Sequence, residues 1–67
     1  MQLTINGTPR TFAHPVATVA DLVRVLGLEG KRIALECNGA IVPKSRHADM
    51  ALADGDSVEI VGAVGGG

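Results

Sequence analysis

A chain of 67 residues can hold one domain and one small core, burying only about 60% of the surface its unfolded form exposes, too little to enclose a substrate. Its net charge is −1 and Phe12 is its one aromatic residue, which excludes the basic stripe and the stacking platforms of nucleic-acid binders. The lone Cys37 cannot form an internal disulfide, and no apolar stretch approaches the ~20 residues of a membrane span, so a cytoplasmic protein without a leader is the expectation.

The first strand is expected in Gln2-Leu3-Thr4-Ile5-Asn6, where alternation puts Leu3 and Ile5 on one face. Asn6-Gly7 tolerates the positive φ of a tight hairpin turn. The returning strand is expected over 10–14, with Pro9 at its start, where a missing N–H costs least.

Next comes a helix. Thr18 suits the N-cap, and Asp21 stands three residues on, where its carboxylate meets exposed N–H groups. Val19, Leu22, Val23 and Leu26 recur at i, i+3, i+4 and i+7, one apolar stripe. Gly27 fits the left-handed position after the helix, with Leu28 closing back on the last turn.

A third strand is expected over 33–38, with Ile33, Leu35 and Cys37 sharing a face. Asn38-Gly39 turns the chain into a brief strand, Ala40-Ile41-Val42, which Pro43 ends. Residues 44–53 have no clean period and read as a loop with a short helical turn, anchored on the core by Met50 and Leu52. Asp54-Gly55-Asp56 is a tight turn, and the last strand is expected over 57–61 with Val58 and Ile60 facing inward. The order is β-β-α-β-β-β. A single helix stripe must cover one face of a small mixed sheet, giving an α+β roll whose other face is left open.

The composition then changes. Gly62-Ala63-Val64-Gly65-Gly66-Gly67 brings few side chains to bury and carries a high entropic cost of ordering. At ~7% glycine usage, three in a row at one fixed place arise by chance in about three or four chains in ten thousand. The expected division is a folded domain over 1–61 and a flexible reactive tail over 62–67. An α-carboxylate at Gly67 is ionised at neutral pH, with a pKa of about 3.3–3.7, so it resists nucleophiles until activated. Glycines have no Cβ to obstruct a narrow channel, which suits a tail that carries a reactive tip into another protein.

These features together resemble the ThiS family, sulfur carriers of the ubiquitin-like β-grasp fold. The likeness rests on the element order, Asn38-Gly39 followed by Ile41-Val42-Pro43, the Asp54-Gly55-Asp56 turn, and Val64-Gly65-Gly66-Gly67. The resemblance implies a carrier rather than an enzyme. An adenylating enzyme (ThiF-like) would use Mg-ATP to convert the terminal carboxylate, matched by Gly67, into an acyl-adenylate. Sulfur from cysteine, passed through a cysteine desulfurase or sulfurtransferase, would displace AMP to leave a thiocarboxylate. Thiazole synthase (ThiG-like) would take that sulfur for the thiazole ring of thiamine. Gly65 and Gly66 match the tail motif, and no cofactor is implied for this chain itself. Alternatives are a carrier for molybdopterin synthesis, a ubiquitin-like protein modifier, and an interaction module with an incidental tail.

Val61, Ala63 and Val64 are apolar beside the reactive tip, which makes them the expected partner-docking residues. Cys37 sits in an alternating strand without a cationic neighbour and reads as a buried hydrophobe. His14 and His47 have no third ligand at a metal-like spacing and are expected on the surface, with no metal site. Lys31, Arg32, Lys44 and Arg46 are interleaved with acids and read as solvated surface.

Overall fold

A computed structural model describes residues 1–62. The elements run β1 (Gln2–Ile5), β2 (Thr8–Thr11), α1 (Val19–Val25), β3 (Ile33–Cys37), β4 (Ala40–Ile41), a 3-10 turn (Lys44–Arg46) and β5 (Ser57–Gly62). They build one mixed five-stranded sheet in the order β2-β1-β5-β3-β4. β5 runs parallel to β1 and antiparallel to β3, so the last strand in sequence is the central strand in space.

Both Asn-Gly pairs make two-residue turns. Asn6 and Gly7 have φ of 49° and 81°, and Asn38 and Gly39 have 50° and 86°, the type I′ arrangement that matches the twist of paired strands. The first turn sets Ile5 opposite Thr8. β2 therefore starts directly after Gly7 and spans Thr8–Thr11, two residues earlier than the expected 10–14. Its pairing with β1 extends to the Phe12 N–H, which donates to the Met1 carbonyl (2.8 Å). Pro9 consequently lies inside the strand, opposite Thr4. It is tolerated there because β2 is an edge strand and this position needs no ladder N–H.

The helix forms where its caps and stripe place it. Thr18 Oγ1 accepts from the Asp21 N–H (3.2 Å) while Asp21 Oδ2 accepts from the Thr18 N–H (3.3 Å), a reciprocal capping box. At the other end the Leu28 N–H donates to the Val23 carbonyl and the Gly27 N–H to that of Arg24. With Gly27 at φ 73°, this is the Schellman closure that satisfies the last carbonyls.

The helix stripe of Val19, Leu22 and Val23 packs on Leu3, Ile5, Leu35, Cys37 and Val58 from the sheet. Val16, Val42 and Leu52 close the rim. Leu52 is buried and Met50 half-buried, as the loop's anchors. The loop is also laced to the helix start by backbone bonds: Val19 N–H to the Met50 carbonyl, Ala20 N–H to that of His47, and Leu52 N–H to that of Ala17, each 2.9 Å. His47 is half-buried rather than on the surface, with Nε2 3.2 Å from the Val42 carbonyl. Among the described residues no helix is long and apolar enough to cross a membrane.

Candidate functional site

The site is the place where the chain leaves the sheet. β5 is one residue longer than the expected 57–61, because Gly62 still pairs with Ile33. Along this strand Val58 and Ile60 face the helix, while Glu59 and Val61 face the open side. Gly62 follows at the rim, and a Cβ built there would meet nothing within 4 Å. Packing does not demand a glycine at this position. Its absent side chain leaves the backbone open to approach.

Of the residues expected to dock a partner, Val61 is 63% exposed on the open face. Its cross-strand partner is Ala34, and the neighbouring row holds Glu59, Glu36 and Ile41. Ile41 is 76% exposed, an apolar neighbour that alternation in a two-residue strand was too short to assign. Ala63 and Val64, the tail glycines Gly65 and Gly66, and Gly67 lie outside the described residues.

Two asparagines do more than turn the chain. The Asn6 side chain pairs with the backbone of Ile60: Oδ1 accepts from the Ile60 N–H (2.7 Å) and Nδ2 donates to its carbonyl (3.1 Å). The β1–β5 ladder ends at Ile5↔Val58, and this amide supplies the next rung, two residues from the exit. At the far end of β5, Asn38 Oδ1 accepts from the Ser57 N–H (2.9 Å) and Nδ2 donates to Asp56 Oδ1 (3.1 Å). Asp56 Oδ2 accepts from the Ala53 N–H (2.8 Å), and Asp54 Oδ1 from the Gln2 N–H (2.6 Å). The Asp-Gly-Asp turn thus fastens the start of β5 to β1 and to the second hairpin. An Asn-Gly pair in sequence signals the turn alone. The second bonding role appears only when residues 54 positions apart are brought together.

Cys37 is buried, and burial, reinforced by the nearby Asp56 carboxylate, pushes its thiol above the ordinary range. A protonated thiol is a poor nucleophile, so this group is core. Among the described residues no group of three or more His, Cys, Asp or Glu side chains is placed to hold a metal ion.

A central strand running out of a small helix-covered sheet toward a glycine run is matched by the family model of the ThiS family over residues 3–67, tail included. The chain belongs to the ThiS family. It is 37% identical over 65 residues to the sulfur carrier protein ThiS of Bacillus subtilis, covering 97% of this chain and 98% of that protein. It is 46% identical over 67 residues to a thiazole synthase of Paramagnetospirillum magneticum, covering all of this chain but 20% of that protein. The chain therefore spans about a fifth of the length of the thiazole synthases it matches. The crystal structure of ThiS from Geobacter metallireducens superposes with a TM-score of 0.86 at 30% identity, each chain covered completely. The fold is thus the β-grasp roll of ThiS proteins, with the helix on one face of the sheet and the glycine-rich segment following its central strand in sequence.

Proposed function

We propose that this chain is a sulfur carrier for the thiazole ring of thiamine and that its reactive group is the Gly67 carboxylate. The observation that carries the reading is the ThiS match over residues 3–67, which joins the glycine tail to a β-grasp domain whose central strand feeds it. The chemistry follows from the carboxylate. Ionised at neutral pH, it becomes acylating only as an acyl-adenylate, formed when a carboxylate oxygen attacks the α-phosphorus of Mg-ATP on a ThiF-like adenylating enzyme and pyrophosphate leaves. A persulfide on a cysteine desulfurase or sulfurtransferase then attacks the acyl carbon, and the C–O bond to AMP breaks as the C–S bond forms. A second thiol of the donor system cleaves the resulting acyl disulfide, forming a disulfide with the donor cysteine and leaving the thiocarboxylate. Thiazole synthase is the recipient, a reading supported by the thiazole synthases that carry a similar segment.

In this reading the chain is a protein substrate and not an enzyme, and it works in the cytoplasm. Val61, with Ala63 and Val64 beyond it, docks the activating enzyme, and Gly65 and Gly66 thread the tip into its channel. Exchange of labelled pyrophosphate into ATP, catalysed by the adenylating enzyme and dependent on the carrier, tests both parts. Deleting Gly67 abolishes the exchange while the thermal melt stays unchanged. Val64→Asp slows it about tenfold or more, the scale of a buried interface charge. Exchange at the parental rate by the truncated chain would falsify the assignment of the reactive group, and an unaffected Val64→Asp protein removes Val64 from the docking surface.

A further inference from the structure

The cations of this chain are unevenly placed. Arg24 pairs with Asp21 and Glu29, and Arg46 with Asp49. Arg10, Lys31 and Arg32 have no ion pair among the described residues, and all three line one groove on the helix side of the sheet. Gly62 lines the same groove beside Ile60, and no acidic side chain does. Lys31 and Arg32 also border a second groove, which adds Arg24 and Lys44 against the single acid Glu29. The uncompensated acids lie elsewhere. Glu36 and Glu59 are on the open face, and Asp54 and Asp56 are in the turn at the opposite end of β5. A molecule of net charge −1 thus has a basic end, and that end is where the tail leaves.

Arg10 lies over the Phe12 ring, 5.6 Å from its centroid, but among the described residues the fold gives none of the three an acidic partner. None of the three cations is buried, and like charges gathered in one groove repel one another. We infer that Arg10, Lys31 and Arg32 form an electrostatic collar that docks a carboxylate-bearing rim on the protein receiving the tail. The inference rests on the carrier reading and adds to it a second docking surface, on the side of β5 opposite Val61. The groove's floor of Ile5, Leu26, Leu28 and Ile33 suits protein side chains, and it offers no aromatic face on which a base could stack. Exposed charges act over about 8–10 Å at physiological salt, so the collar's work is to steer and orient the tail toward a mouth of opposite sign. Gly62 lets that mouth close against bare backbone.

The test is carrier-dependent ATP–pyrophosphate exchange by the adenylating enzyme, at low and at high salt. The parent is compared with an Arg10→Glu, Lys31→Glu, Arg32→Glu triple variant and with Arg46→Glu, a reversal at a cation that lines neither groove. Circular dichroism establishes that each is folded. The collar predicts that the triple variant raises KM for the carrier by about tenfold or more at low salt, with kcat within about twofold. It also predicts that high salt raises the parent's KM and lowers that of the charge-reversed variant, so that the two converge, and that Arg46→Glu behaves as the parent. A triple variant with the parental KM overturns the collar and leaves the carrier reading standing. An equal loss in Arg46→Glu reduces the effect to net charge and overturns it as well. A parent that supports no exchange with an enzyme active on another carrier overturns the carrier reading, and the collar with it.

Discussion

Asn6 shows how much one side chain contributes to aiming the tail. Its φ of 49° is a conformation that asparagine tolerates better than most residues, because its short polar side chain bonds locally. Here that side chain also serves as a strand residue, pairing with both backbone groups of Ile60. Asn6→Gly keeps the turn and removes the rung, whereas Asn6→Ala removes the rung and adds strain at positive φ. We expect about 0.5–2 kcal/mol lost in Asn6→Gly by urea unfolding and more in Asn6→Ala. Amide exchange at Ile60 should accelerate in both. Equal stability of parent and Asn6→Gly, with unchanged exchange at Ile60, would show that the rung contributes nothing. Cys37 lies near the other end of the scale of usefulness: its raised thiol pKa follows from burial and from Asp56, and its contribution is volume.

At the scale of elements, the local rules act where they have a free hand. The helix has a capping box, a three-residue buried stripe and a glycine stop within one short stretch, and each was legible in the sequence because each depends on residues at most five apart. Thr18→Ala should cost about 1 kcal/mol by removing the N-cap acceptor. The Asp21 carboxyl is held below its usual range, chiefly by its hydrogen bond with Arg24 and further by Thr18, against the opposing effect of desolvation. A depressed folded pKa means that the charged form supports the fold, so this contribution is present above the unfolded value and is lost as pH falls through the acid range. The urea midpoint should therefore drop between about pH 5 and pH 3 in the parent, and less steeply in Asp21→Asn. An identical pH slope in the two proteins would remove Asp21 from this account. β2 was harder to place, since Pro9 suggests a strand boundary while the I′ turn fixes a strand that runs through it. The turn prevails because it sets the register of every following pair.

At the scale of the whole molecule, what matters is what folding brings together. The strand order places β5 centrally, so the segment before the tail has a partner on each side: β1 and Asn6 on one, β3 on the other. The exit is thereby held on a firm base. That one helix covers a small mixed sheet could be anticipated from the pattern of one helix stripe and five short strands, whereas the central place of β5 rests on long-range pairings such as Thr4↔Ser57. The grouping of Arg10, Lys31 and Arg32 could not be anticipated. In sequence Lys31 and Arg32 stand between Glu29 and Glu36 and look like ordinary solvated surface, Arg10 is remote from both, and only the sheet brings residue 10 beside residues 31 and 32. The half-buried His47 was hidden for the same reason, since its partner is a backbone carbonyl and no side-chain pattern announces it.

The central claim is that this chain carries sulfur on Gly67. Its most direct test is the intact mass of the protein before and after incubation with Mg-ATP, the adenylating enzyme and a sulfur donor. The account predicts a gain equal to one sulfur minus one oxygen, dependent on ATP, absent when Gly67 is deleted, and reversed when thiazole synthase and its substrates are added. An unchanged mass, with an enzyme that loads another carrier under the same conditions, would contradict it.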